Sequence, residues 1–171
     1  MIERREAGPP AEVRVHHRHP ALAWPLVAAM TWLSMGGFAG GIPMLRDPTG
    51  RLVGAELSWL DRTPVNDFFV PGLFLVAVYG VGVLLLIAGL LWTPSPGPTR
   101  AVNRLTGHHW SWVGTIAVGA VLVAWIAYEY VVFPTTSWLM PALLAVGALM
   151  IALPMAPSMR RFYASPQDEA R

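Results

Sequence analysis

The fold of this chain is decided by residues 70–92, which read VPGLFLVAVYGVGVLLLIAGLLW and contain no charged side chain. A helix needs about 20 consecutive apolar residues to cross roughly 30 Å of hydrocarbon. Residues 110–133 form a second run of this length, in which Glu129 is the only charged residue. Shorter apolar runs occupy residues 21–42 and 138–155. We therefore predict an all-α integral membrane protein, a bundle of four spanning helices.

The composition of the 171-residue chain excludes several classes of protein. Hydrophobic residues make up 54% of the chain and charged residues only 13%, and this charged share is about half of the soluble average. The four spans leave no room for a second folded domain, so we expect a polar tail at residues 1–18, a membrane domain at 19–157 and a second tail at 158–171. Cysteine is absent, which excludes disulfides, thiolate metal sites and thiol redox chemistry.

The arginines predict the topology. All twelve basic residues are arginine, a usage that suggests a bacterial source, and basic residues accumulate on the cytoplasmic side of a membrane. Most of them occur in the first tail, at Arg100 and Arg104 between the second and third spans, and at Arg160 and Arg161 after the fourth. Arg46, Arg51 and Arg62 are exceptions, because they lie in the first loop on the side that we expect to be external. We therefore predict a multi-pass protein of the bacterial cytoplasmic membrane with both termini cytoplasmic. Because the arginines lie at span ends, we expect no nucleic-acid partner.

The first loop, residues 43–69, is the largest segment that we expect outside the membrane. Its sequence DPTG at residues 47–50 is a strong turn signal. Apolar residues farther along predict a short amphipathic helix near residues 55–60, lying on the outer interface with Trp59 as an anchor. Thr63 and Pro64 then predict the start of a short helix that reaches Phe69 and breaks before the second span.

Small residues predict two helix-packing seams. Four glycines near the end of the first span form overlapping pairs at four-residue spacing, which lets a neighbouring helix approach closely; they are Gly36, Gly37, Gly40 and Gly41. In the fourth span, Ala148 and Ala152 offer a second seam of this kind.

Glu129 is the residue that most suggests chemistry, because a carboxylate inside a span is costly and is by default a functional candidate. It shares a helical face with Trp125 and lies about four residues, or roughly 6 Å, from the outer end of the span. Two roles stay open. Glu129 could dock an arginine of the first loop, for which we choose Arg62, or it could bind a ligand or a proton. Tyr79 and Asp67 complete the candidate set.

Catalytic and cofactor motifs are absent from the sequence. The chain has no HExxH, GxSxG, P-loop or dinucleotide fingerprint. His108 and His109 would need a partner histidine on a facing span to hold haem, and no span contains one. We therefore predict no metal, no cofactor and no catalytic residue.

One stretch of the chain resembles a known family. Gly40-Gly41, the DPTG turn, Leu57, Thr63-Pro64 and the segment DFFVPGL at residues 67–73 resemble a pattern in small four-helix membrane proteins of actinobacteria. Further similar features are Trp125 with Glu129 and the segment PSMRR at residues 157–161. The resemblance implies a four-helix fold in a bacterial cytoplasmic membrane, and it implies no activity.

Three functions remain open at this point. The first is a non-enzymatic membrane protein that binds a lipid or a small apolar ligand, or that serves as an accessory subunit of a membrane complex. The second is a small proton- or ion-coupled transporter that works as an oligomer. The third is a membrane-embedded enzyme that modifies a lipid, with Asp67 and Glu129 as acid and base. The expected partners are membrane lipids and either a second copy of the chain or another membrane protein.

Overall fold

A computed structural model describes residues 20–61, 63–92, 99–132 and 137–164, and these residues form helices and turns with no β-strand. The α-helical elements are α1 (Ala23–Arg46), α2 (Phe69–Trp92), α3 (Arg100–Thr106), α4 (Trp110–Val132), α5 (Leu139–Met155) and α6 (Pro157–Tyr163). The ends of α1, α2, α4 and α5 lie within a few residues of the predicted spans, because uninterrupted apolar runs leave little choice of helix register or length.

Three of these helices, α1, α2 and α4, are each long and apolar enough to cross a membrane. Helix α5 passes the same test only together with α6, from which it is separated by a bend of 67°. The described residues therefore contain three candidate spans, or four if the bent pair counts as one.

The helices pack around one apolar core. Helix α1 contacts α2 and α5, while α4 contacts α5 and the second half of α2. Side chains that are fully or almost fully buried come from every one of these helices; they include Leu26, Met30, Tyr79, Val83, Leu90, Leu122, Ile126 and Met150. Each helix therefore buries part of its surface against two neighbours.

Glycines set the closest helix contacts. A Cβ added to Gly37 would lie 2.7 Å from the backbone nitrogen of Gly80, and one added to Gly41 would lie 2.8 Å from the carbonyl oxygen of Gly72. By contrast, nothing lies within 4 Å of the same position at Gly36, and Gly40 meets only a side-chain atom of Leu75 at 3.5 Å. Two of the four predicted seam glycines thus lie against the backbone of α2.

The seam between α4 and α5 uses different residues from those expected. The backbones approach at Gly119 and Gly147, where a Cβ on Gly119 would lie 3.0 Å from the Gly147 carbonyl oxygen. Ala148 and Ala152 are exposed instead. The predicted residues were wrong, because the small residue of α5 that faces α4 is Gly147, immediately before Ala148.

The first loop is folded around a small core of its own. Ala55, Leu60 and Phe68 are buried together in it. Gly50 has a φ of 84° and lies so close to the Phe68 ring that an added Cβ would stand 2.8 Å from it. The backbone N–H of Phe68 donates to the carbonyl oxygen of Pro48 at 2.9 Å. These contacts fix the path of the loop between α1 and α2.

Two local expectations for this loop need correction. The predicted helix near residues 55–60 is a 3-10 turn at Leu57–Leu60, in which Trp59 is 45% exposed. The predicted helix from Pro64 to Phe69 does not form, and α2 begins at Phe69 and runs through Pro71. Pro71 is tolerated because it lies in the first turn, where a backbone N–H has no helical partner.

Two short helices at the opposite end of the molecule were not predicted. Helix α3 ends at Thr106 and is followed by Gly107, whose φ of 68° places it in the left-handed conformation that commonly terminates a helix. Helix α6 begins at Pro157, a favoured first helical residue. The Tyr163 hydroxyl of α6 donates to the carbonyl oxygen of Leu90 at 2.8 Å, which ties α6 to the end of α2.

Candidate ligand-binding cavity

A cavity of about 570 Å³ lies between the first loop and the adjoining ends of α1, α2 and α4. Most of the residues that line it are apolar; the lining comprises Met44, Leu60, Thr63, Pro64, Val65, Phe68, Val70, Pro71, Phe74, Leu75, Trp125, Tyr128 and Glu129. Among the described residues of this lining, Glu129 is the single charged one. Apolar walls with a few placed polar groups are the usual character of a small-molecule site.

The Glu129 carboxylate is held by its own helix. Oε1 accepts a hydrogen bond of 2.7 Å from the Trp125 indole Nε1–H, one helical turn earlier. The glutamate is half-buried. The indole N–H therefore neutralises part of the cost of placing a carboxylate beside apolar surface, since hydrogen bonds to a charged acceptor are strong.

An aromatic series extends from this carboxylate into the protein. The Trp125 ring stacks on Phe74 with their centroids 5.5 Å apart and their planes at 25°. Phe74 in turn meets Tyr79 edge to face, at 5.4 Å and 89°. Helices α2 and α4 are thus joined by aromatic rings where they line the cavity.

Tyr79 lies behind this aromatic wall and does not itself line the cavity. Its side chain is 2% exposed, and its hydroxyl is buried without a hydrogen-bond partner among the described residues. A buried hydroxyl without a hydrogen-bond partner is uncommon and costs free energy, and Tyr79 is connected to the cavity wall through its ring contact with Phe74.

A π-helical stretch of α2, Leu75–Gly82, positions Tyr79. Such wide turns are rare and often occur at functional sites. The buried Ser34 hydroxyl of α1 donates to the Gly80 carbonyl oxygen at 2.9 Å within this stretch. This hydrogen bond gives the Gly80 carbonyl oxygen a donor within the irregular stretch, and it holds α1 against α2.

The structure separates the predicted candidates. Trp125 and Glu129 are joined by a hydrogen bond and line the cavity. Asp67 is exposed, accepts a hydrogen bond of 3.0 Å from the Phe69 backbone N–H, and does not line the cavity. It therefore serves the start of α2. Arg62, our choice of partner for Glu129, lies outside the described residues.

No ion pair joins Glu129 to the other arginines of the first loop that the structure describes. Arg46 and Arg51 are both exposed, and the hydrogen bond from Trp125 is the polar contact that Glu129 makes within the described ranges. In those ranges, no group of three histidines or carboxylates is arranged to hold a metal ion.

Sequence reasoning missed most of the apolar lining. Leu60, Val65 and Phe68 come from the first loop, and Phe74 comes from the first part of α2. The apolar side of the loop could have indicated these residues, but we interpreted it as a surface in contact with the membrane interface. The structure directs that side partly onto the loop's own core and partly onto the cavity.

A comparison with protein-family models finds no match for the chain, and comparisons with the curated proteins and with the solved structures also find none.

Proposed function

We propose that this protein is a non-enzymatic integral membrane protein that binds a lipid or a small apolar ligand in the cavity beneath its first loop. In this proposal α1, α2, α4 and the bent pair α5–α6 form a four-helix bundle in a bacterial cytoplasmic membrane. Both termini lie in the cytoplasm and the cavity faces outward. The arginine distribution and the resemblance to small actinobacterial membrane proteins support this placement.

The cavity is the observation that carries the proposal. Its volume of about 570 Å³ falls within the range of roughly 300–1,000 Å³ that is typical of small-molecule sites. Transfer of apolar surface out of water is favourable, so an apolar ligand in contact with this lining would stabilise the first loop over it.

The interior of α4 favours binding over proton transport. Toward the opposite end of the helix, Ser111 and Thr115 are buried, and the Thr115 hydroxyl donates to the Ser111 carbonyl oxygen at 2.7 Å. Between these residues and Trp125, the buried positions are Gly119 and Leu122, and neither has a polar side chain. A proton path would need polar relays across this interval.

The arrangement also gives little support to lipid-modifying catalysis. The two carboxylates that were candidates for acid and base do not share the cavity, since Asp67 is exposed and bonded to the backbone of α2. General acid–base chemistry needs both groups within reach of one substrate.

The proposal is tested by identifying what the protein retains when it is purified in mild detergent. Lipids and small molecules that co-purify with the parent are identified by mass spectrometry and compared with those from Val70→Trp and Val81→Trp. Val70 lines the cavity, whereas Val81 is similarly exposed on the same helix and does not. The proposal expects a molecule that the parent and Val81→Trp retain and Val70→Trp loses. Equal recovery from all three proteins, or no bound molecule in any, would refute it.

A further inference from the structure

We infer that the ligand of this cavity is an organic cation, with an amine or quaternary ammonium group joined to an apolar body. This inference rests on the proposed function and names the chemical class of the ligand. It is drawn from the charge of the cavity and from its aromatic walls. It also rests on the described lining, which has no second carboxylate and no histidine that could bind a metal ion.

The charge of the described lining is negative and uncompensated. Glu129 is its single charged member, and neither Arg46 nor Arg51 forms an ion pair with it. Oε1 accepts the indole N–H of Trp125, while the other carboxylate oxygen accepts no hydrogen bond from a described residue. A carboxylate beside apolar surface is stabilised by a cation at contact distance, and a positively charged ligand would supply one.

The walls around the carboxylate suit a weakly hydrated cation. Phe68, Phe74, Trp125 and Tyr128 bring aromatic rings to the cavity from the first loop and from two helices. Aromatic faces attract alkylammonium groups, and aromatic cages are a common means of binding quaternary ammonium ligands. The hydrogen bond from its indole N–H to Glu129 fixes the orientation of the Trp125 ring next to the negative charge.

An inorganic cation fits the same lining poorly. Calcium and magnesium ions need about six oxygen ligands, whereas this lining provides one carboxylate, the Thr63 and Tyr128 hydroxyls and apolar side chains. Within the described ranges no second carboxylate or histidine completes a metal site. The site therefore suits an organic cation, because its carbon substituents keep it weakly hydrated and it needs few oxygen ligands.

The competing occupant is an arginine of the chain itself, as the sequence predicted for Arg62. A guanidinium would also satisfy the carboxylate, but it would exclude a cationic ligand from the parent protein. The experiment below separates these two cases.

The test compares three small probes that differ mainly in charge. They are benzyltrimethylammonium, its uncharged carbon analogue neopentylbenzene, and the anion phenylacetate. Binding of each radiolabelled probe to the full chain in lipid nanodiscs is measured by equilibrium dialysis, and binding to empty nanodiscs is subtracted. The parent should bind the cation at least about tenfold more tightly than the uncharged analogue, as expected for a carboxylate and aromatic rings acting together, and the anion most weakly.

Two variants assign the preference to the carboxylate. Glu129→Gln should lower affinity for the cation about tenfold, toward the level of the uncharged probe. It should leave binding of the uncharged probe unchanged, which also shows that the cavity is intact. The matched control is Glu56→Gln, which removes an exposed loop carboxylate outside the cavity lining; it should bind all three probes like the parent.

Each remaining outcome overturns the inference. Equal binding of the charged and uncharged probes to the parent would refute a cationic ligand while leaving the proposed apolar site in place. Binding of no probe would refute both. If the cation binds Arg62→Gln but not the parent, the first-loop arginine occupies the site and the inference is wrong.

Discussion

The contact between α1 and α2 allows one prediction to be worked out in detail, the effect of Gly37→Ala. The added Cβ would lie 2.7, 2.8 and 2.9 Å from backbone atoms of Gly80, Tyr79 and Leu75. Real Cβ atoms essentially never show contacts below 3.0 Å, and backbone atoms cannot rotate away as the end of a side chain can. The two helices must therefore separate by about half an ångström. Overpacking of this kind typically costs about 1–3 kcal/mol.

The neighbouring Gly36 provides the matched control for this change. Nothing lies within 4 Å of its Cβ position, so Gly36→Ala should leave the free energy of unfolding unchanged or raise it by up to about 1 kcal/mol through helix propensity. Because both glycines lie inside the same helix, the propensity terms cancel when the two variants are compared. The difference of about 1–3 kcal/mol then measures packing alone.

The assay is reversible unfolding in mixed micelles, with the midpoint and slope recorded for the parent and for four alanine variants. Gly37→Ala and Gly41→Ala should unfold early, whereas Gly36→Ala and Gly40→Ala should unfold close to the parent. Equal stability at Gly36 and Gly37 would show that the helices do not approach each other at this seam, and the packing described above would be refuted.

Three further predictions concern the ends of the molecule. Tyr163→Phe should lower the free energy of unfolding by about 1 kcal/mol, because the Leu90 carbonyl oxygen loses its donor; thermal unfolding in detergent measures this, and an unchanged midpoint would contradict it. The Thr49 hydroxyl, by donating a hydrogen bond, holds the pKa of Asp47 below its ordinary value of 3.8. The first loop should thus keep this stabilisation above pH 3.8 and lose it as the pH falls through the lowered pKa; hydrogen exchange corrected for intrinsic rates should show the loss, and Asp47→Asn should abolish the pH dependence. Reporter fusions at residue 171 should be cytoplasmic and those within residues 44–62 external, and an external C-terminus would refute the topology.

The positions of the long helices could be predicted from hydropathy, because a hydrocarbon environment would restrict the backbone strongly. Inside a bilayer, a run such as residues 70–92 would have to satisfy its own N–H and C=O groups, and a helix is the simple way to do so. The same reasoning placed Trp125 and Glu129 on one face, since residues four apart are neighbours on a helix. Their hydrogen bond is a local consequence of that spacing. The further pairing of Glu129 with Arg62 stays a prediction.

The irregular part of α2 could not be predicted in this way. The π-helical stretch Leu75–Gly82 depends on contacts with α1, namely the Ser34 hydrogen bond to Gly80 and the close approach of Gly37. These partners are more than 40 residues away in the sequence, and apolar periodicity carries no information about them. Tyr79, whose buried hydroxyl has no hydrogen-bond partner among the described residues, lies in the same stretch, so its environment could not be predicted either. Sequence pattern thus located the four long helices but not the short ones, and tertiary contacts determined where α2 departs from the regular form.

The residues that fold the first loop are also residues that form the cavity, which links ligand binding to the stability of the loop. Leu60 and Phe68 belong both to the buried core of the loop and to the cavity lining. Gly50, with its positive φ, lies against the Phe68 ring and lets the loop close over it. A ligand that contacts Phe68 therefore binds the folded loop better than an open one. By linkage, occupancy of the cavity must stabilise the loop, and any change that opens the loop must weaken binding by the same free energy.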